Sequence, residues 1–80
     1  MINSNVIHVG LLIRIELFRQ QRNVKWLSEQ LGIQRTNCYR ILNAPSIHTN
    51  LLIRISIVMR HDFFAECSTI FQSQILKEKI

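Results

Sequence analysis

The sequence predicts an all-α domain, a compact arrangement of five helices. Its 80 residues are about half the commonest domain size, so we expect residues 1–80 to form a single domain. Apolar residues make up 48% and charged residues 19%, a balance that supports a buried core and argues against disorder. Only one proline and two glycines interrupt an apolar spacing of three and four residues, which predicts helices along most of the chain.

The first helix is predicted over residues 5–21 and carries two apolar stripes. The face expected to meet the core has four apolar positions, Val9, Leu12, Ile13 and Leu17. The same face also carries Glu16 and Gln20. A second stripe lies nearly opposite and consists of Ile7, Leu11, Ile15 and Phe18. One small core cannot cover both stripes. Either neighbouring helices wrap around this helix, or the second stripe is a subunit interface, and the high apolar fraction favours self-association.

The second helix is predicted to be only about two turns long. Asn23 is a good N-cap, and Gly32 suits the left-handed turn that ends a helix. A third helix is predicted over residues 34–42. Its apolar positions are Cys38, Ile41 and Leu42, and its other side is polar and basic.

Two more helices are predicted after a loop over residues 43–48, where Pro45 disfavours helix in the residue before it. Thr49 or Asn50 is expected to cap the fourth helix, whose apolar face holds Leu51, Leu52, Ile55, Val58 and Met59. Asp62 is expected to cap the fifth helix, whose apolar positions are Phe63, Phe64, Cys67, Ile70, Phe71 and Ile75. We expect residues 77–80 to fray.

The charge is uneven along the chain. The net charge is +5 and the pI is about 10.0. Residues 14–60 hold eight basic groups and two acids, whereas residues 61–80 hold two lysines and three acids. Basic groups near the start of the second helix and on the third favour a phosphate-bearing partner, because helix N-termini also attract anions. The alternative is a solvated face that only keeps the protein in solution.

Residues 24–42, VKWLSEQLGIQRTNCYRIL, carry a recognisable pattern of two short helices joined by a glycine turn. The segment resembles the helix-turn-helix of the Cro/CI-like repressor family, also called the lambda-repressor-like or XRE fold. Ser28 stands where a small residue lets the two helices cross closely, and the matching apolar and turn positions are Leu27, Leu31, Gly32, Ile33, Cys38 and Ile41. Residues 51–55 are similar to the family's fourth helix, and the resemblance covers about residues 6 to 70.

The resemblance implies a transcriptional regulator that binds double-stranded DNA as a homodimer, with the third helix in the major groove. Its base-contacting positions would be Arg35, Thr36, Tyr39 and Arg40. The flanking or phosphate-contacting positions would be Asn23, Val24, Lys25, Gln34, Asn37, His48 and Thr49. Two positions depart from the family pattern. Val24 replaces a glutamine that often binds phosphate, and Gln34 stands where serine or threonine would cap the third helix.

Other functions find less support in the sequence. We expect no enzyme, metal or cofactor, because the histidines share no helical face and no nucleophile or phosphate-loop motif occurs. The two cysteines lack C-x-x-C spacing and fit small core positions in a cytoplasmic protein. We expect no signal peptide and no membrane span. An antitoxin-like protein-binding module that keeps the helix-turn-helix fold is the main alternative, and binding to an anionic membrane surface is a weaker one.

Overall fold

The computed structural model describes residues 7–78, which form five helices and no strand. The helices are α1 (Val9–Arg19), α2 (Val24–Leu31), α3 (Arg35–Leu42), α4 (Thr49–Met59) and α5 (Phe63–Glu78). The predicted all-α class with five helices is therefore confirmed. None of these helices is both long and apolar enough to cross a lipid bilayer.

Every helix contributes to one core. The buried apolar side chains are Val9, Ile13, Leu17, Leu27, Leu31, Cys38, Leu42, Leu52, Ile55, Met59 and Phe63. They repeat at helical spacing in α1 to α4, whereas α5 contributes only Phe63, from its first turn. The apolar faces predicted for the first four helices are thus the faces that meet, and the small core explains why much apolar surface stays exposed.

The first helix is shorter than predicted. His8 has an extended backbone, and its imidazole Nδ1 accepts a hydrogen bond from the N–H of Leu11 (2.9 Å), so α1 begins at Val9. The helix ends at Arg19, because Gln20 leaves the helical conformation and Gln21 has a positive φ of 58°. The predicted start at Asn5 lies outside the described residues.

The second apolar stripe of α1 is largely uncovered. Leu11, Ile15 and Phe18 are 49%, 55% and 85% exposed, whereas Ile7 packs against the core. The interpretation in which neighbouring helices wrap around this face is therefore wrong for these three side chains within residues 7–78. Ile7 does not belong to the exposed stripe, because the chain before α1 folds it onto the protein.

The N-terminal end of α1 packs closely against the end of α3. The backbone N–H groups of Val9 and Gly10 donate to the carbonyls of Pro45 (3.0 Å) and Ala44 (2.9 Å). Gly10 is buried here, and its lack of a side chain permits this approach of two backbones. The predicted loop is therefore tied to α1 and holds α1 and α3 in a fixed relation.

The caps of α4 and α5 differ in their agreement with the prediction. Thr49 is the first helical residue of α4, and the N-cap is His48, which makes no side-chain capping bond. Capping by Thr49 or Asn50 is therefore wrong. For α5 the prediction is confirmed, since the Asp62 carboxylate accepts a hydrogen bond from the N–H of Ala65 (3.0 Å).

Most of α5 lies outside the core. Phe64 and Phe71 are 41% and 58% exposed, and Cys67, Ile70 and Ile75 are only half-buried. A helix of 16 residues is about 24 Å long, so its later turns extend past the small core that its first turn enters. The helix continues to Glu78, residues 79–80 lie outside the described range, and the fraying expected over residues 77–80 stays a prediction.

Candidate nucleic-acid interface

The second and third helices are joined by the tight turn that the sequence predicts. Gly32 has a φ of 68°, in the left-handed region, and the N–H of Ile33 donates to the carbonyl of Ser28 (3.0 Å). Ser28 is buried, and its hydroxyl donates to the carbonyl of Lys25 (2.9 Å). This hydrogen bond satisfies the polar group of a small residue that is buried within the helix pair. From α4, the guanidinium of Arg54 donates to the carbonyl of Leu31 (3.0 Å) and so satisfies a C-terminal carbonyl of α2.

The polar side of α3 faces solvent. Its buried side chains are Cys38 and Leu42, and its exposed ones are Arg35, Thr36, Asn37, Tyr39 and Arg40. Ion pairs among the described residues use only Arg19 and His61 as basic partners, so no carboxylate there neutralises the two arginines of α3. These five side chains are available to an external partner.

The start of α3 lacks a side-chain cap. Gln34 occupies the N-cap position in an extended conformation and makes no capping hydrogen bond, so α3 begins at Arg35, one residue later than predicted. The first N–H groups of α3 are therefore not satisfied by the Gln34 side chain, in contrast to those of α2.

The start of α2 combines a strong cap with exposed charge. The Asn23 side chain accepts a hydrogen bond from the N–H of Trp26 (2.9 Å), which confirms the predicted cap. Lys25 is exposed, whereas Val24 is half-buried and packs against the core. Any contact of Val24 with an anion would therefore use its backbone rather than its side chain.

A cleft of about 450 Å³ brings part of the predicted site together. It is lined by Arg14, Leu17, Phe18, Arg22, Asn23, Val24, Lys25, Arg35, Tyr39 and Leu42. Five of these were predicted as interface positions, from the start of α2 and from α3. The predicted positions that do not line it are Gln34, Thr36, Asn37, Arg40, His48 and Thr49. His48 and Thr49 are exposed at the start of α4.

Five cleft residues were not among the predicted site positions: Arg14, Leu17, Phe18, Arg22 and Leu42. The guanidinium of Arg14 donates to the carbonyl of Leu42 (3.2 Å) and to the side chain of Asn43 (2.7 Å), which ties α1 to the end of α3. Arg22 lies over the ring of Trp26, 4.0 Å from its centroid. The sequence could have indicated Arg22 as a site residue, because Arg22 directly precedes the Asn23 cap of α2. It could not have indicated Arg14 and Phe18, because their place at this site depends on how α1 packs.

A second group of polar side chains lies away from this cleft, between α1 and α5. Glu16 is only 4% exposed and accepts hydrogen bonds from Arg19 and from Gln20 (2.7 Å). His61 contacts the carboxylate of Glu66 and lies 3.6 Å from that of Glu16. Gln20 also donates to the carbonyl of Met59 (2.9 Å). No pattern in the sequence predicts this cluster, which joins the end of α1 to the segment that leads into α5.

The cluster changes the acidity of Glu16. The hydrogen bond from Arg19 dominates over the opposing effect of burial and, with Gln20 and the charge of His61, lowers the pKa of Glu16 to about 2. The structure therefore keeps Glu16 ionised at neutral pH. Every close contact of this carboxylate is made within the protein, so we assign it a role in stability.

Replacing Glu16 with glutamine should lower the free energy of unfolding by about 1–2 kcal/mol at pH 7, because charge-assisted hydrogen bonds are lost while the volume is kept. A carboxyl whose folded pKa is about 2, against an ordinary 4.5, stabilises the fold above the ordinary value. That stability is lost as the pH falls, so the difference between wild type and E16Q should vanish by about pH 2. Urea unfolding across this range measures it.

The matched control for this prediction is Glu29→Gln, which removes one exposed carboxylate from α2. We expect its stability to stay within about 0.5 kcal/mol of wild type at every pH. A difference between wild type and E16Q that does not change with pH would contradict the assigned role of the Glu16 charge.

The cysteines occupy structural positions. Cys38 is fully buried and Cys67 is half-buried, and neither forms a disulfide. Burial raises the pKa of both thiols, which for Cys67 is reinforced by the charge of Glu66. Among the described residues, no group of three or more His, Cys, Asp or Glu side chains is placed to hold a metal ion.

Comparison with known proteins identifies no relative of this chain. No protein-family model matches this chain, and no curated protein or solved structure is detectably similar to it.

Proposed function

We propose that this chain is a sequence-specific DNA-binding domain that acts as a transcriptional regulator, with α3 in the major groove. The observation that supports it best is the solvent-facing side of α3, where Arg35, Tyr39 and Arg40 are exposed and the two arginines have no carboxylate partner among the described residues. A helix presented in this way on a short helix pair has the shape that the major groove accepts.

The side chains of α3 have the chemistry that base reading needs. Arg35 and Arg40 can each donate two hydrogen bonds to the O6 and N7 atoms of guanine. Thr36 offers a methyl group to thymine, and Tyr39 can reach a phosphate or a sugar. Asn37 and Gln34 flank this surface, and their side-chain amides can donate hydrogen bonds to a phosphate or to a sugar.

Phosphate contacts would come from the start of α2 and from the cleft. Lys25 and Arg22 supply positive charge there, and the first N–H groups of α2 add the favourable end of the helix dipole. Val24 would contribute through its backbone, and the NH₂ group of Asn23 is still able to donate to a phosphate. His48 and Thr49, at the start of α4, would make outer contacts with the same backbone.

The resemblance of residues 24–42 to the Cro/CI-like helix-turn-helix supports the same function. Its apolar matches Leu27, Leu31 and Cys38 are buried, and Gly32 adopts the left-handed turn. We therefore propose membership of that family, with the uncapped start of α3 and Val24 as the departures from its pattern.

We propose that the domain acts as a homodimer, because two recognition helices about 34 Å apart read twice as many bases. Two apolar surfaces are free to pair. The α1 stripe ends at Phe18, beside several arginines, whereas Phe64, Phe71 and Leu76 lie on α5, in a region with more acids than bases. Pairing through α5 would keep two basic surfaces from repelling each other, so we favour it.

Selection of bound duplexes from a random-sequence library tests the proposal directly. An enriched palindrome would support specificity and two-fold symmetry together. Recovery of unrelated sequences, or of none above background, would overturn sequence-specific binding.

The dependence of binding on salt is a further prediction. If each subunit neutralises about three phosphates, the logarithm of the affinity should fall with the logarithm of the salt concentration at a slope near −5 for a dimer. Titration of a labelled duplex at several salt concentrations measures the slope. A flat response would contradict a phosphate-contacting interface.

The exposed α1 stripe favours a second candidate function, an antitoxin-like module that binds a protein partner. Phe18 is 85% exposed and Ile15 is 55% exposed, which is unusual for large apolar side chains. Substitution of Arg35 and Arg40 distinguishes the two functions. DNA binding should be lost under the first proposal, whereas partner binding should survive under the second.

A further inference from the structure

The cleft between α1, α2 and α3 has the dimensions of a small-molecule site. Its volume of about 450 Å³ falls within the range of roughly 300–1,000 Å³ that is typical of ligand pockets. Its wall combines apolar and cationic side chains. Binding of a phosphate backbone alone would need only the cationic ones.

The apolar part of the cleft includes two buried side chains and two exposed rings. Leu17 and Leu42 are 4% and 1% exposed, so they form a closed apolar base. Phe18 and Tyr39, at 85% and 49%, leave most of one ring and half of the other uncovered. Rings of this kind stack on flat groups such as nucleobases.

The cationic part is partly prearranged. Arg14 is held by its hydrogen bonds to Leu42 and Asn43, and Arg22 is held over Trp26. Prearranged donors lose less conformational freedom when a ligand binds. Lys25 and Arg35 add two exposed charges, so the cleft brings four cations and no carboxylate together.

We propose that this cleft binds a small organic anion that carries a flat ring, of which a nucleoside monophosphate is the simplest representative. Its phosphate would bind the guanidinium groups, which match phosphate oxygens in geometry and charge. Its base would stack on Phe18, the more exposed of the two rings. A DNA duplex supplies phosphates but keeps its bases stacked inside, so it would leave the apolar part of the cleft unused.

Occupation of the cleft has a regulatory consequence, which rests on the proposed function. Six of the ten lining residues belong to the proposed DNA interface, including Lys25, Arg35 and Tyr39. A bound anion would therefore compete with DNA for the same positive charge.

Calorimetric titration of the whole chain without DNA tests the site itself. Adenosine monophosphate is the probe, adenosine supplies the ring without the charge, and ribose 5-phosphate supplies the charge without the ring. We expect the monophosphate to bind at least about tenfold more tightly than either fragment. Equal binding of the monophosphate and ribose 5-phosphate would overturn the proposal, because charge alone would then explain it.

Phe18→Ala should weaken monophosphate binding about tenfold, since this exposed ring would lose its stacking contact. Ile57→Ala is the control, because it removes another exposed apolar side chain, 69% accessible, from outside the cleft and outside the proposed dimer surface on α5. The helical circular dichroism of both variants should match the wild type. Unchanged affinity in F18A, or an equal loss in I57A, would overturn the assigned site.

Competition is measured separately, by the anisotropy of a labelled duplex with and without the monophosphate. A rise in the apparent Kd for the duplex supports competition, and an unchanged Kd overturns it. Monophosphate binding in a chain that binds no duplex would support the cleft and overturn only the proposed function.

Discussion

Replacing Gly10 with alanine should destabilise the fold by about 2–3 kcal/mol, although alanine is the better helix former by about 1 kcal/mol. A Cβ atom at this position would lie 2.4 Å from the carbonyl oxygen of Leu42 and 2.7 Å from that of Ala44. Both are backbone atoms, so they cannot rotate away as the end of a side chain can. Relief requires α1 to separate from the end of α3, and the hydrogen bond from Gly10 to Ala44 would then lengthen or break.

Urea unfolding followed by circular dichroism measures this effect, and Gly32→Ala is the matched control. Nothing lies within 4 Å of a Cβ at Gly32, but its φ of +68° is unfavourable for alanine. We expect the control to lose only about 1 kcal/mol. Two results would contradict the close α1–α3 contact: a loss of unfolding free energy below about 1 kcal/mol in G10A, or a loss in G32A larger than that in G10A.

Replacing both Arg35 and Arg40 with alanine should remove specific DNA binding while the fold is retained. Each guanidinium that pairs with a guanine contributes about 1–3 kcal/mol of discrimination, so the double variant should lose roughly 30-fold in affinity or more. Both side chains are exposed, and no carboxylate of the described residues pairs with them, so their removal leaves no buried group unsatisfied.

The measurement is a titration of the selected duplex and of a scrambled duplex at one salt concentration. Lys77→Ala, an exposed cation on α5, is the control for a general loss of positive charge and should change the affinity less than about threefold. Specific binding retained in the double variant, or lost as strongly in K77A, would show that α3 does not read the DNA.

The sequence predicted the fold class and the position of every helix because these features depend on near neighbours along the chain. Asn23 and Asp62 cap the helices that follow them, and Gly32 ends α2, each through contacts within a few residues. The predicted start of α1 was wrong by several residues, because the N-cap is His8. Histidine is not among the residues that usually cap helices, which are Ser, Thr, Asp and Asn.

The candidate site was predictable only in part. Arg35 and Tyr39 followed from the period of α3, since the side opposite its apolar positions must face outward. Arg14 and Phe18 did not, because they belong to another helix, and only its packing against α3 places them at the same cleft. The pairing of Glu16 with His61, 45 residues away, was hidden for the same reason.

The amino-acid pattern by itself determined five helices, a short helix pair with a glycine turn, and a basic segment over residues 14–60. Tertiary structure alone decided that Leu11, Ile15 and Phe18 stay uncovered, that α5 enters the core only at Phe63, and that a cationic cleft forms beside α3. Caps and apolar periods act over about four residues of chain, whereas burial and clefts depend on which distant segments meet, and in a domain this small few faces can be covered.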